Sequence, residues 1–474
     1  MDCRNTVSDS FISNVKTKMK KRIVILGAGE SGVGAAILAK AKGFDVFVSD
    51  QGSIKEKYKT ELRSESIPYE EGHHSLVFIL NAQLIIKSPG IPDKAEIIQS
   101  VRSEGIQIID ELEFAFRYVQ GKVIAITGTN GKTTTTLLTY HLLKSAGFNV
   151  ALAGNVGESL ARKVAKENHD WYVVEISSYQ LDGTVTFQPE IGILLNITPD
   201  HLDRYNYKME NYINSKFRLI QNMTAKNSFI YYADDAVTGT EVSARKIEVS
   251  KVPISLKDKS TPAHYDGAQM VFNLVGQHFA IAQAETSLKG PHNLINTLSA
   301  VTAVFLAGAD LGSIRSGLKS FKNAPHRLES VALIKGVEFI NDSKATNVDS
   351  VVYALGSYNQ PLIWIAGGID KGNDYNLIKE AVSKKVKTLI CLGKDNDKLK
   401  SFFGSIVNDV QETQTVNELV RLALKAAKEG DVVLLSPACA SFDLFKNYED
   451  RGDQFRAAVL ELKEEVEQIG FIKS

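Results

Sequence analysis

One stretch constrains the fold of this chain more than any other: Val123-Ile124-Ala125-Ile126-Thr127-Gly128-Thr129-Asn130-Gly131-Lys132-Thr133-Thr134. The apolar run Val123 to Ile126 reads as a buried strand that delivers the chain to a glycine-rich turn. There Gly128 and Gly131 let backbone N–H groups converge on an anion, and a helix expected over 134–143 aims its positive end at the same point. Lys132 is placed to neutralise phosphate oxygens, and the Thr133 hydroxyl to hold Mg²⁺. The pattern G-x-x-x-x-G-K-[ST] asks for glycine at position 126, where this chain has isoleucine. The loop is therefore a tighter variant, T-G-T-N-G-K-T-T.

A second glycine turn lies upstream. Arg22-Ile-Val-Ile-Leu26 runs into Gly27-Ala28-Gly29-Glu30-Ser31-Gly32 and an alanine-rich helix, the context of a dinucleotide fingerprint. The next strand, Asp45 to Asp50, ends in a carboxylate where a ribose hydroxyl would be met. The helix end senses phosphate charge and not the base, so any nucleotide diphosphate satisfies this turn as well as a nicotinamide cofactor does. A third strand, Ala82 to Lys87, leads to the rigid turn Ser88-Pro89-Gly90-Ile91-Pro92 at the carboxyl edge of the sheet, where ligands of open α/β sheets bind.

At 474 residues the chain exceeds one core and predicts about three domains. Lys plus Arg equals Asp plus Glu, 55 each, which gives nucleic acid no electrostatic footprint. The three cysteines, Cys3, Cys391 and Cys439, are odd in number and widely spaced, so a disulfide framework is not expected and a reducing, cytoplasmic setting is. Residues 1–20 read as a polar, disordered tail. No apolar run reaches the roughly 18 to 20 residues that span a bilayer.

Turn signals place one boundary near residue 112 and another near Pro325. The first segment, 21–111, is then α/β. The central segment, 112–323, alternates strand (171–175, 191–198) and helix. Between about 228 and 288, short runs such as Phe229 to Tyr232, Gln269 to Phe272 and His278 to Ile281 predict a small antiparallel accessory sheet. The last segment, 324–474, has strands at 337–341, 362–366, 388–392 and 432–436 with helices between, and is a further α/β domain.

Glu175 ends a strand in the segment that carries the phosphate turn, as a Mg²⁺ site requires. His201 lies in Thr198-Pro-Asp-His-Leu-Asp-Arg-Tyr205, where helix capping and metal or substrate binding are both open. In a helix expected over 211–223, Ile213, Lys216, Phe217 and Ile220 form one stripe. Lys216 either snorkels to water or keeps a depressed pKa in the apolar face; in the second case its neutral amine captures carbon dioxide as a carbamate, an anionic metal ligand. Pro291-His292-Asn293-Leu-Ile-Asn296 opens a helix with groups suited to a purine or ribose. Three turns past strand ends (341–347, 367–372 and 436–443) gather lysines and small polar residues on one sheet edge, a site for an anionic substrate. Cys439 has no evident basic neighbour and reads as a packing residue.

Taken in order, the phosphate turn, Glu175-Ile-Ser-Ser-Tyr-Gln180, Asp200-His201-Leu-Asp203-Arg204, Lys216-Phe-Arg218, His292-Asn293, His326-Arg327, Asn341-Asp-Ser-Lys-Ala-Thr-Asn347 and Ser436-Pro-Ala-Cys-Ala-Ser441 resemble the Mur ligases, over residues 22 to 460. The run Ser436 to Asp443 with Phe445-Lys-Asn-Tyr448-Glu-Asp-Arg451-Gly452 is similar to the members that add D-glutamate to UDP-N-acetylmuramoyl-L-alanine. The resemblance implies a Rossmann-like UDP-binding domain (21–111), a central P-loop ATPase domain (112–323) and a C-terminal Rossmann-like amino-acid domain (324–474). It implies UDP-muramoyl contacts at Ser31, Asp50, Ser88, Pro89, Gly90, Asn155, Gln180 and His201. ATP would be held by Gly128, Thr129, Asn130, Gly131, Lys132, Thr133 and Thr134, with Asn293, Asn296, Arg327 and Asp342 around the nucleotide. D-glutamate would meet Lys344, Thr346, Lys371, Ser441 and Tyr448. Two Mg²⁺ ions are implied, one on Thr133 and Glu175, the other on His201 and a carbamylated Lys216, and Lys132, Glu175, His201 and Lys216 would carry catalysis. Tyr448 stands where the family often has phenylalanine, and Gln51-Gly52 follow Asp50 where some members have Thr-Arg. A monomer acting on small molecules is expected, without nucleic acid or membrane. The rivals are a ligase of the same architecture for another amino acid or a folate, a nucleotide-binding regulator, and a dehydrogenase using the first glycine turn.

Overall fold

A computed structural model describes residues 21–200, 202–288 and 290–473, with side chains through 468. The expected tail 1–20 and His201 lie outside the described residues. The chain divides into two compact units.

The first unit holds the chain up to Val119 together with Glu158–Asn168 and Asp182–Phe187. Its five strands, β1 (Arg22–Leu26), β2 (Asp45–Asp50), β3 (Tyr69–Glu71), β4 (Leu84–Lys87) and β5 (Ile108–Asp110), form a parallel sheet in the order β3-β2-β1-β4-β5. Ile23, Val24, Ile25 and Leu26 are all buried, because a parallel strand covered on both faces has no polar side to present. The helix Glu30–Ala41 starts directly after the glycine turn, and a Cβ on Gly32 would lie 1.8 Å from the Gly27 carbonyl oxygen. Only glycine permits that approach. The helix Leu160–Lys166 packs on the same helix: Arg162 Nε donates to Glu30 at 2.7 Å, and a second guanidinium nitrogen pairs with Glu61. Buried Glu113 accepts the backbone amides of Val185, Thr186 and Phe187, which fixes the second late segment in this unit.

The second unit carries two sheets. The central one has nine strands, β6 (Lys122–Thr127), β7 (Val150–Gly154), β8 (Trp171–Glu175), β9 (Ile191–Leu194), β10 (Ser228–Tyr232), β11 (Ser250–Ser255), β12 (Ala263–Tyr265), β13 (Gln269–Leu274) and β14 (Gln277–Ala282), in the order β14-β13-β12-β11-β10-β9-β6-β8-β7. The C-terminal sheet orders β15 (Glu329–Ile334), β16 (Val337–Asn341), β17 (Leu362–Gly367), β18 (Val386–Leu392), β19 (Asp409–Thr413) and β20 (Val432–Ala438) as β15-β16-β20-β17-β18-β19, parallel except for β15.

The α/β class read from sequence stands, with three corrections of detail. Within the central sheet only β12, β13 and β14 include antiparallel pairing, and they continue that sheet; Phe229 to Tyr232 instead lies in β10, parallel to β9 and β11. The helix Ala236–Ala244 makes that parallel crossover, and its run of small and polar residues gives little apolar periodicity to read. The helix after the phosphate turn begins at Lys132 and ends at Ser145, so the lysine sits in its first turn. The helix expected over 211–223 spans Met209–Phe217 and then tightens to a 3₁₀ turn, Arg218–Ile220. With three residues per turn the stripe rotates, and Leu219 takes the buried place expected of Ile220. Gly32→Ala, by forcing the glycine turn away from its helix, should lower the unfolding temperature of the first unit by roughly 5 °C or more in calorimetry of the whole chain.

Candidate active site

The phosphate turn is held from behind before any ligand is considered. Gly128 (φ +154°) and Gly131 (φ +86°) take conformations that other residues resist, and a Cβ on Gly131 would lie 2.5 Å from Asn296 Oδ1. The Thr129 amide donates to the Asn196 carbonyl at 2.9 Å, and the Asn130 amide to Asn196 Oδ1 at 2.8 Å. The Thr129 hydroxyl is engaged with Thr198 and with the Tyr212 hydroxyl, 3.1 Å away, so this side chain braces the turn. Lys132 Nζ curls back to the carbonyls of Gly128 and Thr129, both at 2.8 Å. Burial lowers its pKa, Glu175 and Asp200 oppose that, and Arg327 adds to it.

Lys216 is 1% exposed, which removes the snorkelling reading. Its Nζ donates to the same Gly128 carbonyl at 2.9 Å and lies 4.7 Å from the centre of the Tyr212 ring. Glu175, also 1% exposed, accepts from Asn155 Nδ2 at 2.8 Å through Oε1, while Oε2 is buried without a hydrogen-bond partner. An ionisable oxygen left in that state costs about 1–3 kcal/mol or more, and a divalent cation is the group that would satisfy it. The residues around the turn therefore fit Mg²⁺.

A cleft of about 540 Å³, open mouth included, is lined by Asn130, Gly131 and Thr134 from the turn, Asn293 and Asn296 from the helix Pro291–Leu306, and Arg327, Asp342, Lys344, Ser350 and Tyr353 from the C-terminal part. Arg327 donates to the Thr133 hydroxyl at 2.8 Å, and Ser350 to Asn130 Oδ1 at 3.2 Å. Burial pushes the Asp342 carboxyl up to about 7, against hydrogen bonds from Ser436 and the Leu328 amide. Burial, with Arg327 beside it, brings the Lys344 ammonium down to about 8, and that ammonium stands 3.5 Å over the Tyr448 ring.

The three C-terminal turns are tied to one another. Ile369 and Ala440 exchange backbone hydrogen bonds at 2.8 and 3.1 Å, joining the turn that carries Lys371 to the one that carries Ser441. Arg451, 1% exposed, donates to Ser343 Oγ and Ser343 O, both at 2.9 Å, and to the carbonyls of Gly367 and Cys439 at 3.3 Å. One guanidinium thus fixes the ends of β16, β17 and β20.

The first unit has its own cleft, about 1630 Å³ with its mouth, lined by Gly27, Gly29, Asp50, Gln51, His73, His74, Ser88 and Gly90 among others. Asp50 accepts from the Ala28 amide at 2.6 Å and the Gly52 amide at 2.8 Å, so its carboxylate holds the glycine turn in shape.

Residues 21–110 match the family model of the Mur ligase MurD-like N-terminal domain, 126–304 that of the Mur ligase middle domain and 326–439 that of the Mur ligase glutamate ligase domain. The UDP-N-acetylmuramoylalanine–D-glutamate ligase of Cytophaga hutchinsonii is 52% identical over 94% of this chain and all of its own length. The chain belongs to the Mur ligase family. A Bacteroides fragilis protein of the same name is 51% identical over 93% of this chain and all of its own. Among solved structures, the UDP-N-acetylmuramate-alanine ligase of Thermotoga maritima superposes with a TM-score of 0.61 at 18% identity, covering 94% of this chain and all of that one. A MurF ligase from the same organism, in complex with ADP, gives 0.58 at 14% over the same shares and shares the fold.

In this Mur ligase the structure gathers Asn130, Gly131, Thr134, Asn293, Asn296, Arg327, Asp342 and Lys344 into one cleft, with Thr133 reached by Arg327. Lys371 is exposed and Thr346 half-buried, whereas Ser441 is buried at its turn. Asn155 is pinned to Glu175, and Gln180 Oε1 accepts from the amide and hydroxyl of Ser177. In the first unit Asp50, Ser88 and Gly90 line the cleft, while Ser31 and Pro89 are not among its lining residues. No helix of the described residues is long and apolar enough to cross a membrane. Cys439 is a buried packing residue, as read, but a basic neighbour does exist: Arg451 binds its carbonyl. Arg451, Ser350 and Tyr353 were assigned no role from sequence. Arg451 lies in the run Tyr448 to Gly452 directly after Glu449 and Asp450, and nothing in that spacing marks it as a buried brace between three turns.

Proposed function

We propose that this Mur ligase joins D-glutamate to UDP-N-acetylmuramoyl-L-alanine with cleavage of ATP to ADP and phosphate, a step of peptidoglycan precursor synthesis. The observation that carries this reading is the agreement along the whole chain with relatives of that name, since members of this fold differ in the amino acid they add. The first unit takes the UDP end through the Gly27 turn and the Ser88–Gly90 turn. The central domain, 112–323, takes ATP, and the C-terminal domain, 324–474, takes D-glutamate at Lys344, Thr346, Lys371, Ser441 and Tyr448. The protein works as a cytoplasmic monomer.

The residues account for the chemistry. The alanyl carboxylate attacks the γ-phosphorus of ATP, two anions that repel, and the bond from that phosphorus to the ADP oxygen breaks. Lys132, already desolvated at the turn, and Arg327, on Thr133, supply positive charge that strengthens as the transferring phosphoryl group flattens. Two Mg²⁺ ions, one held by Thr133 and Glu175 and one by His201 and carbamylated Lys216, would add charge screening there. The Lys216 nitrogen keeps one hydrogen as a carbamate, so its bond to the Gly128 carbonyl survives the modification. The acyl phosphate is open to hydrolysis, and the contact of Arg327 and Ser350 with the turn supports closure of the C-terminal part over it. The D-glutamate amine then adds to the acyl carbon, and the tetrahedral adduct expels phosphate and loses a proton to leave the amide.

Purified protein given the muramoyl-alanine nucleotide, ATP and magnesium should release phosphate with D-glutamate and not with L-alanine or meso-diaminopimelate; release with another amino acid alone would assign a different ligase. Lys132→Ala should abolish ADP formation in that assay. For Lys216, ¹³C-bicarbonate should give a carbamate carbon resonance that Lys216→Ala lacks. The Lys344 ammonium binds an anion only while protonated, and its pKa is brought down to about 8, so kcat/KM for D-glutamate should decline as pH rises past 8. Arginine stays charged there, and Lys344→Arg should remove that limb from the profile.

A further inference from the structure

At the end of the first unit's cleft nearest β2 and β3, three side chains, His74, Ser49 and Glu70, form a hydrogen-bonded series, with His73 beside Glu70. Ser49 Oγ donates to Glu70 Oε1 at 2.6 Å, and the Ser75 amide donates to the same oxygen at 2.8 Å. His73 Nε2 stands 3.4 Å from the other carboxylate oxygen of Glu70. Burial alone would raise the Glu70 carboxyl, but the hydroxyls of Ser49 and Ser75 and the Ser75 amide hold it below its usual range. Glu70 is therefore ionised and accepts only.

This decides the state of His74. Its Nδ1 lies 2.6 Å from Ser49 Oγ. The one hydroxyl proton of Ser49 is committed to Glu70, so the hydrogen between Ser49 and His74 belongs to the ring, and Nδ1–H is the donor. Burial lowers the His74 pKa; Glu70 and Asp50 oppose this, and His73 adds to it. A neutral ring protonated at Nδ1 has a lone pair at Nε2. His74 lines the cleft that also contains Gly27, Asp50 and Gln51. Two strand spacings, roughly 10 Å, separate the glycine turn after β1 from the end of β3, the reach of a ribose between a diphosphate and its base.

We propose that His74 reads the base of the nucleotide: Nε2 accepts the N3–H of uracil, so that the first unit takes uridine and rejects cytidine diphosphates. Cytosine has a lone pair at N3, which would face the lone pair of His74 with no proton between them, and a site built to accept a hydrogen bond rejects a ligand that cannot donate one. Ser49 and Glu70 are positioning residues that fix the tautomer. The assignment rests on the reading that this unit holds UDP.

The test measures UDP and CDP binding to the full-length protein by calorimetry, with the wild type and His74→Phe. The wild type should prefer UDP, and the variant, which keeps a flat ring without an acceptor, should lose about tenfold in UDP affinity with CDP affinity unchanged. Equal weakening of both nucleotides, or no change in either, would overturn the role of His74 while leaving UDP binding by this unit intact. Failure of the wild type to bind UDP would instead remove the reading beneath it. ¹⁵N NMR of the wild-type His74 ring gives an independent check: a proton on Nδ1 is expected, and a proton on Nε2 of the neutral ring would overturn the assignment.

Discussion

Two lysine ammonium groups reach one carbonyl oxygen in this protein, and the arrangement of the second unit follows from that. Lys132 and Lys216 approach Gly128 O at 2.8 and 2.9 Å, one from the helix that follows the turn and one from a helix more than eighty residues later. Like charges at such a place oppose each other, most strongly where water is thin. The turn tolerates them because its carbonyls face inward and its amides are tied down by Asn196. Phosphate oxygens arriving from ATP would relieve the repulsion, as would conversion of Lys216 to an anionic carbamate.

The C-terminal part answers this with a different device. Arg451 is buried among carbonyl and hydroxyl oxygens, to which its guanidinium donates. Its charge therefore serves as a three-way brace. Beyond the paired strands two of the three loops are joined by the Ile369–Ala440 backbone bonds, and a fork with five N–H donors ties all three. Lys344 and Ser441 stand on loops fixed in this way, as the site proposed for D-glutamate would demand.

Much of this was legible in the sequence because it rests on local patterns. The phosphate turn announces itself by glycines that must take positive φ and a lysine that has no packing purpose, and parallel strands announce themselves as continuous apolar runs. Lys216 was visible as a charge in an apolar stripe, though only the fold could reveal that its ammonium ends on Gly128 and not in water. What the pattern could not carry was pairing between distant segments. The direction of β10 depends on the crossover helix Ala236–Ala244, whose apolar signal is weak, and the tie between Arg451 and Ser343 spans 108 residues. The Asp50 carboxylate was read as facing a ligand, and it lines the cleft; nothing in its spacing says that it also accepts two backbone amides.

The first unit is not a continuous piece of chain. Glu158–Asn168 and Asp182–Phe187 complete it, one through Arg162 between two carboxylates and the other through the amides that cap Glu113. On the ribosome its five strands emerge long before those segments do. Glu113 has Arg117 four residues on as a local donor, but the backbone amides that complete its shell lie some seventy residues further along the chain. The first unit can therefore be completed only after part of the second has been made.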